Sequence, residues 1–473
     1  MDTKIESTPD THKVRRDVVG GKRGAGHEYQ AQCRLVTRPS AGIEVVPTTA
    51  ALTSVAGLPM FGAFVRGQGV DVELRSSFGH LKSHFLVAYP MDAQMRLLMD
   101  ANVAGEARVF GVENLAADPV FVHLAGGTVP GIDTLYRDLC RFGPTEIEQL
   151  ERIVARHGLR GLGKLKLKTV HLNIDTTVEP LFGSQEGALP GSNPHYHGRP
   201  SYHPVLAYIT ETGTVVGAAL RPGDTSFGEA EVPLVERWIA RLRQAVGAEC
   251  RIYVRIDAAG DCTEIMTAIE EAGAYFVTKA RMTPDLCRAV ARIQKWTSTE
   301  WDGSGKPLEQ VAEVKFQRTV WRKSGTPFRV AALRSRIRET GKQLFLWSDL
   351  DYTVRVYITN DDAEPVEDLA VRYDKRAGIE PAIGELKYDW AIGKIPSKSF
   401  DANHVMFLLK LLSFNLFRRF ADACAAPLRG WRTAWLRRAI IGAVGRLVRS
   451  GHRMRLVVPL NSPLLRLAPV PPG

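Results

Sequence analysis

Three things are scarce in this sequence: paired cysteines, unbroken apolar runs, and negative charge toward the C-terminus. The six cysteines (Cys33, Cys140, Cys250, Cys262, Cys287 and Cys424) form no C-x2-C pair. That argues against a zinc site or a disulfide framework and suits buried thiols in a reducing compartment. No stretch reaches the roughly 18 consecutive apolar residues of a membrane span. The nearest, VMFLLKLLSFNLF, is cut by Lys410 and runs into Arg418 and Arg419. The opening residues MDTKIESTPDTH have no apolar signal-peptide stretch, so a cytoplasmic protein without a membrane partner is expected. GSGK at Gly303 is no phosphate-binding loop, because Glu300 stands where the first glycine belongs; no nucleotide cofactor is expected. From Asp401 onward 12 Lys and Arg face 2 Asp and Glu, which supplies most of the net charge of +11. Such a balance fits a polyanionic partner.

What the chain does have is concentrated in YDKRAGIEPAIGELK. Tyr373, Arg376, Glu380 and Lys387 stand there at the spacing Y-x2-R-x3-E-x6-K. At about 100° per residue, Arg376 falls about 60° from Tyr373, Glu380 about 20° and Lys387 about 40°. One carboxylate, two cations and a phenol would share one helix face. Glu385 would sit roughly 140° from Glu380 and is the poorer candidate for the same site. Pro381 removes a backbone bond and predicts a kink near Ala377, which would displace Lys387 from the common face. An acid able to hold a metal, flanked by phosphate-binding cations, suits chemistry on a phosphodiester.

Two aspartates precede this run in matching contexts. KTVHLNIDTT alternates Val170, Leu172 and Ile174 with His171, Asn173 and Asp175. CRIYVRIDAAG alternates Ile252, Val254 and Ile256 with Tyr253, Arg255 and Asp257. Each pattern reads as a strand with one apolar face. Each aspartate sits where its strand runs out, as catalytic groups of open α/β sheets do. A single aspartate there is most often a turn or N-cap residue; the ordered set Asp, Asp, Glu carries the catalytic reading.

The quartet and its two aspartates resemble the signature of DDE transposases of bacterial insertion sequences, in the group named for Tyr-Arg-Glu-Lys. GRPSYHP and LRPGDT, together with ALTSVAGLPMF, DPVFVHLAGG and TVPGIDTLYRDL, resemble the thirteen-eighty insertion-sequence family. The resemblance implies an α/β fold: a ribonuclease-H-like core with a β-rich insertion, preceded by a helical DNA-binding region. It implies that Asp175, Asp257 and Glu380 hold two Mg²⁺ or Mn²⁺ ions, and that Tyr373, Arg376 and Lys387 contact phosphate. It also implies double-stranded DNA, both transposon ends and target, as the partner of a homodimer or higher oligomer. Cleavage and strand transfer at terminal inverted repeats is the expected activity, in the cytoplasm on the nucleoid. A related nuclease and a domesticated DNA-binding protein are the rival readings; the intact acid set speaks against the second.

The expected organisation follows the composition. Residues 1–45 read as a flexible basic tail and 46–163 as the helical DNA-binding region. Within that region DPVFVHLAGGTVPGIDTLYRDL reads as a helix-turn-helix with Asp133, Thr134, Tyr136 and Arg137 near the exposed start of its second helix. Residues 164–294 and 351–425 form the two parts of the core, around a β-rich insertion at 295–350 carrying Trp296, Trp301, Trp321 and Trp347. Its aromatics read as sheet-packing residues first and as a base-stacking platform second. The loop after Asp175 holds His195, His197 and His203 without an acidic or cysteine partner at usable spacing, so DNA contact is preferred there to metal binding. Residues 426–473 read as a basic helix, WRTAWLRRAIIGAVGRLVRSG, and a strand, with Arg437 and Arg438 as phosphate contacts.

Overall fold

The structure, a computed structural model, describes residues 46–191, 197–325, 327–336, 352–394, 397–424, 428 and 430–467. The basic tail at 1–45, the strand expected at QLFLWSD with Trp347, and His195 lie outside these residues. Residues 1–50 form one unit and residues 51–473 a second, which holds every strand and helix of the described residues.

The strands are β1 Leu52–Thr53, β2 Thr169–Thr176, β3 Glu179–Pro180, β4 Leu189–Pro190, β5 Pro200–Tyr202, β6 Val205–Ile209 and β7 Thr214–Ala219. They continue as β8 Arg251–Ile256, β9 Tyr275–Lys279, β10 Thr297–Trp301, β11 Pro307–Glu313, β12 Arg329–Arg336, β13 Tyr352–Thr359, β14 Gly445–Ser450 and β15 Arg453–Val457. Nine of them form one sheet in the order β10-β11-β12-β13-β9-β8-β2-β6-β7. The centre is parallel, β2 against β8 and β8 against β9, and the other pairings are antiparallel. Strands β10 to β12 lie within residues 295–350, expected as a β-rich insertion, and β13 lies in the expected second part of the core. All four continue one sheet with the central strands, because β13 pairs with β9 over Tyr357 to Thr359.

Alternation decides what each face buries. Val170, Leu172, Ile174, Ile252, Val254 and Ile256 enter one core, under helices that include Val232–Val246 and Thr263–Glu271. The opposite face carries Leu206, Val215 and Ala218 into the larger core. There it meets α1 Leu58–Gly67, α2 Val70–Phe78, α3 Met91–Ala104, α4 Pro144–Leu159 and the long α5 Phe400–Cys424. Phe61 packs edge-on to Phe417 and Phe420, so the N-terminal helices and α5 share one interior. The 25-residue α5 is apolar nearly all round, as a helix enclosed on every side must be.

Edge strand β7 would leave unpaired backbone groups. Asn415 of α5 supplies the partners: its Oδ1 accepts from Val215 N at 2.9 Å and its Nδ2 donates to Val215 O at 2.7 Å. Gly158 lets α4 approach this edge, since a Cβ there would stand 2.2 Å from Val215 O.

Two sequence expectations change. Trp321 lies on a short helix, Thr319–Ser324, and is fully buried against Phe316 and Phe328. The helix expected over residues 431–451 ends in a π-turn at Ile441 and gives way to β14, because the alternating Gly445–Ser450 pairs with both β1 and β15. None of the described helices is long and apolar enough to cross a membrane.

Candidate active site

Strands β2 and β8 run parallel with Ile174 opposite Ile256. Asp175 and Asp257 are the next residues, so the register sets them side by side where the sheet ends. Asp257 caps the turn Ala258–Gly260, its Oδ1 accepting from Ala259 N at 2.8 Å. Asp175 Oδ1 accepts from Thr176 N at 3.0 Å and pairs with Arg376 Nη2 at 2.9 Å. Each aspartate thus keeps its Oδ2 without a hydrogen bond among the described residues. Burial pushes the Asp175 carboxyl up to about 6; Arg376 opposes the rise, and the charges of Asp257 and Glu380 add to it.

The signature run is not one helix. Helix α6, Val366–Asp374, gives way to a 3-10 turn at Lys375–Gly378, then α7, Ile379–Gly384, then a π-turn at Glu385–Asp389. Pro381 has no N–H to give to the carbonyl of residue 377, and the chain rewinds there. Arg376 is 7 % exposed and reaches Asp175, with its Nε buried and without an acceptor. Tyr373 packs its ring on Tyr357 at 5.0 Å, and burial raises its hydroxyl pKa. Glu380 is exposed, and its charge is felt at Asp175. Glu385 is committed elsewhere, accepting from Thr433 N at 2.6 Å.

Lys387 does not join the aspartates. Its Nζ donates to Val178 O at 3.0 Å and lies 3.2 Å from Glu179 Oε1, in the loop that follows β2. Arg437 was expected as an exposed phosphate contact. It is turned inward by the π-turn Arg437–Ile441, donating to the carbonyls of Asn102 and Asp389 over the ring of Trp390. Burial lowers its pKa. Arg438 remains exposed.

The chain matches the family model for the transposase DDE domain, group 1, over residues 39–468. It belongs to the DDE transposases. Among curated proteins none matches. Among solved structures, the transposase is similar to a piggyBac transposase synaptic complex with hairpin DNA, determined by cryo-electron microscopy. Identity there is 10 % and the TM-score 0.41, with 81 % of this chain and 79 % of that chain covered.

Sequence reasoning missed the support beneath the site. Arg255, 1 % exposed, donates to Asn173 Oδ1 at 2.7 Å, Thr210 Oγ1 at 2.8 Å and the Arg372 carbonyl at 3.1 Å. It therefore ties both aspartate strands to the end of α6, next to Tyr373. Burial lowers its pKa to about 10. The signal was available: an arginine two residues before Asp257 points to the same face as that aspartate.

Glu179 and Lys410 were missed as well. Lys410 is fully buried in α5 and donates to the carbonyls of Ala107 at 3.0 Å, Ala391 at 2.5 Å and Lys394 at 3.2 Å. It anchors a turn in which Ala391 has φ +50° and Gly393 leaves room for Glu179, whose Oε2 would lie 1.9 Å from a Cβ there. Only the three-dimensional path brings residues 179, 387, 391–394 and 410 together.

The donor chemistry at Asp175 and Asp257 is oxygen-only and suits a hard divalent cation. Among the described residues, no three His, Cys, Asp or Glu side chains are gathered closely enough to hold one together.

Proposed function

We propose that this member of the DDE transposases binds the ends of a mobile DNA element and catalyses strand cleavage and strand transfer there. The observation that carries the reading is the in-register pair of parallel strands ending in Asp175 and Asp257, with the charge of Glu380 felt at Asp175. Strands β7-β6-β2-β8-β9, an antiparallel hairpin joined to three parallel strands, support a ribonuclease-H-like core. The motifs GRPSYHP and LRPGDT support the thirteen-eighty insertion-sequence family.

Asp175, Asp257 and Glu380 would hold Mg²⁺ or Mn²⁺, two ions in the full site. The uncommitted Oδ2 of each aspartate, and a crowding of negative charge that Arg376 only partly offsets, support this. When bound, the ions supply activation of an attacking oxygen and stabilisation of the leaving oxygen. The protein's own groups position the phosphodiester. Arg376 Nε has a buried N–H free for an anionic oxygen. Lys387 keeps N–H groups beyond the one given to Val178 while pairing with Glu179, and the Tyr373 hydroxyl can donate to phosphate. Arg438 and its basic surroundings would hold DNA away from the chemistry, and the second helix of the helix-turn-helix, Ile132–Leu139, would read the element ends. A homodimer or higher oligomer on double-stranded DNA, working on the nucleoid in the cytoplasm, fits two ends cut in concert.

The test is single-turnover cleavage of a duplex carrying the element end, with Mg²⁺ or Mn²⁺. The wild type cuts at the end boundary and Asp257→Asn does not. Cutting that persists in Asp257→Asn refutes the assignment.

A further inference from the structure

The helix bearing Arg437 displays only part of the C-terminal positive charge, at Arg438. A further share stands on the ribbon formed by β14 and β15. From Gly445 to Val457 there are four arginines and no Asp or Glu. All four (Arg446, Arg449, Arg453 and Arg455) are exposed, and none forms an ion pair among the described residues.

The register sorts them. Directly paired residues of an antiparallel ribbon share a face. Leu447 pairs with Leu456, and Arg449 with Met454. This is the inward face at the ribbon's base, since Leu456 packs against the larger core. Arg446 pairs with Val457, Val448 with Arg455, and Ser450 with Arg453. Three arginines therefore line the other face, one per two-residue step, about 6.8 Å apart along the ribbon. That interval equals two base-pair steps of duplex, at about 3.4 Å each. The base is fixed: β1 pairs with β14 at Leu52 and Thr53, and Leu447 N donates to Ala51 O at 2.9 Å. From Val448 to the Gly451 turn each strand is paired only with the other. A two-stranded ribbon is of the size the major groove of B-DNA admits.

We propose that the β14–β15 ribbon is a DNA-contact arm that lays Arg446, Arg453 and Arg455 along the phosphates of a duplex. The inference rests on the DNA-processing function proposed for the chain and adds the surface that grips. The ribbon is exposed, so its variants should keep the fold.

The experiment compares the full-length wild type, the triple variant Arg446→Gln/Arg453→Gln/Arg455→Gln, and Arg449→Gln from the other face. Affinity for an element-end duplex and for a scrambled duplex is measured from 50 to 200 mM salt. Each lost phosphate contact should reduce the salt slope by about 0.9, so the triple variant's slope falls by about 2.7. Over that range its affinity should change about 40-fold less than the wild type's. The loss should be equal on both duplexes, Arg449→Gln should stay near wild type, and the melting temperature should hold. An unchanged slope in the triple variant overturns the arm. So does an equal effect of Arg449→Gln, or tighter wild-type binding to single-stranded RNA of the same length. Absence of salt-dependent duplex binding by the wild type would instead refute the DNA-processing function itself.

Discussion

Lys387 and Glu179 offer the sharpest perturbation of the site. Their charged atoms lie 3.2 Å apart, with side chains 26 % and 12 % exposed. At an effective dielectric constant of about 20 the gross attraction is about 5 kcal/mol. Glu179→Gln keeps the shape and a carbonyl oxygen that can still accept from Nζ, so only part of this is lost. A coupling of about 1–3 kcal/mol is expected, or about 5- to 150-fold in rate if the pair acts as a unit. Single-turnover cleavage of a saturating end duplex would be measured for the wild type, Glu179→Gln, Lys387→Gln and the double variant. Glu179→Gln should slow cleavage, and in the Lys387→Gln background it should have no further effect. Equal slowing in both backgrounds would mean that Glu179 acts independently of Lys387. Faster cleavage by Glu179→Gln would mean that the carboxylate sequesters the lysine and does not aim it.

Asp175→Asn should abolish cleavage while leaving end binding within about twofold, checked by nicking and gel-shift assays on one duplex; retained cleavage would remove it from the chemistry. Gly158→Ala should lower stability by several kcal/mol, because its Cβ would collide with Val215 O at 2.2 Å; a denaturant midpoint near wild type would show that α4 can shift. Lys410, whose pKa burial lowers to about 7, binds fewer protons folded than unfolded between about pH 7 and its ordinary value of 10.5. Stability should therefore rise with pH across that window, and Lys410→Met should lose that part of the slope in denaturant titrations. Arg255→Lys keeps the charge but cannot reach Asn173, Thr210 and the Arg372 carbonyl with the same fork. Its kcat for cleavage should fall at least tenfold while duplex affinity holds, and unchanged kcat would limit Arg255 to a packing role.

The central strands and their aspartates were legible because a half-buried strand writes its two faces into alternate residues. Val170, Leu172 and Ile174 face a core, and Asn173 and Asp175 face the site. Parallel pairing then brings Asp175 beside Asp257 across 82 positions of sequence. The signature segment was legible in composition and only partly in geometry. Helical projection put Lys387 with the other three and Pro381 gave the reason it would leave them, but not that the rewound backbone sends it to Glu179. Arg437 misled for a related reason: a cation next to Arg438 in a basic segment reads as surface, and only the π-turn makes it a half-buried donor to two carbonyls. Glu179 and Lys410 could not be read at all, since their partners are backbone oxygens and lysines from remote positions.

The interior shared by α1 and α5 also sets a schedule. Phe61 is among the first residues of the described fold to leave the ribosome, yet its partners Phe417 and Phe420 follow more than 350 residues later. At about 5–20 residues per second, that is a delay of roughly 20–70 s. Throughout it the sides of the N-terminal helices that α5 covers stay open, although these helices can already pack on one another and on α4. A ribosome-arrested product ending before residue 400 should therefore bind a hydrophobic dye and be cut readily by protease between residues 58 and 104, and extension past Cys424 should protect it.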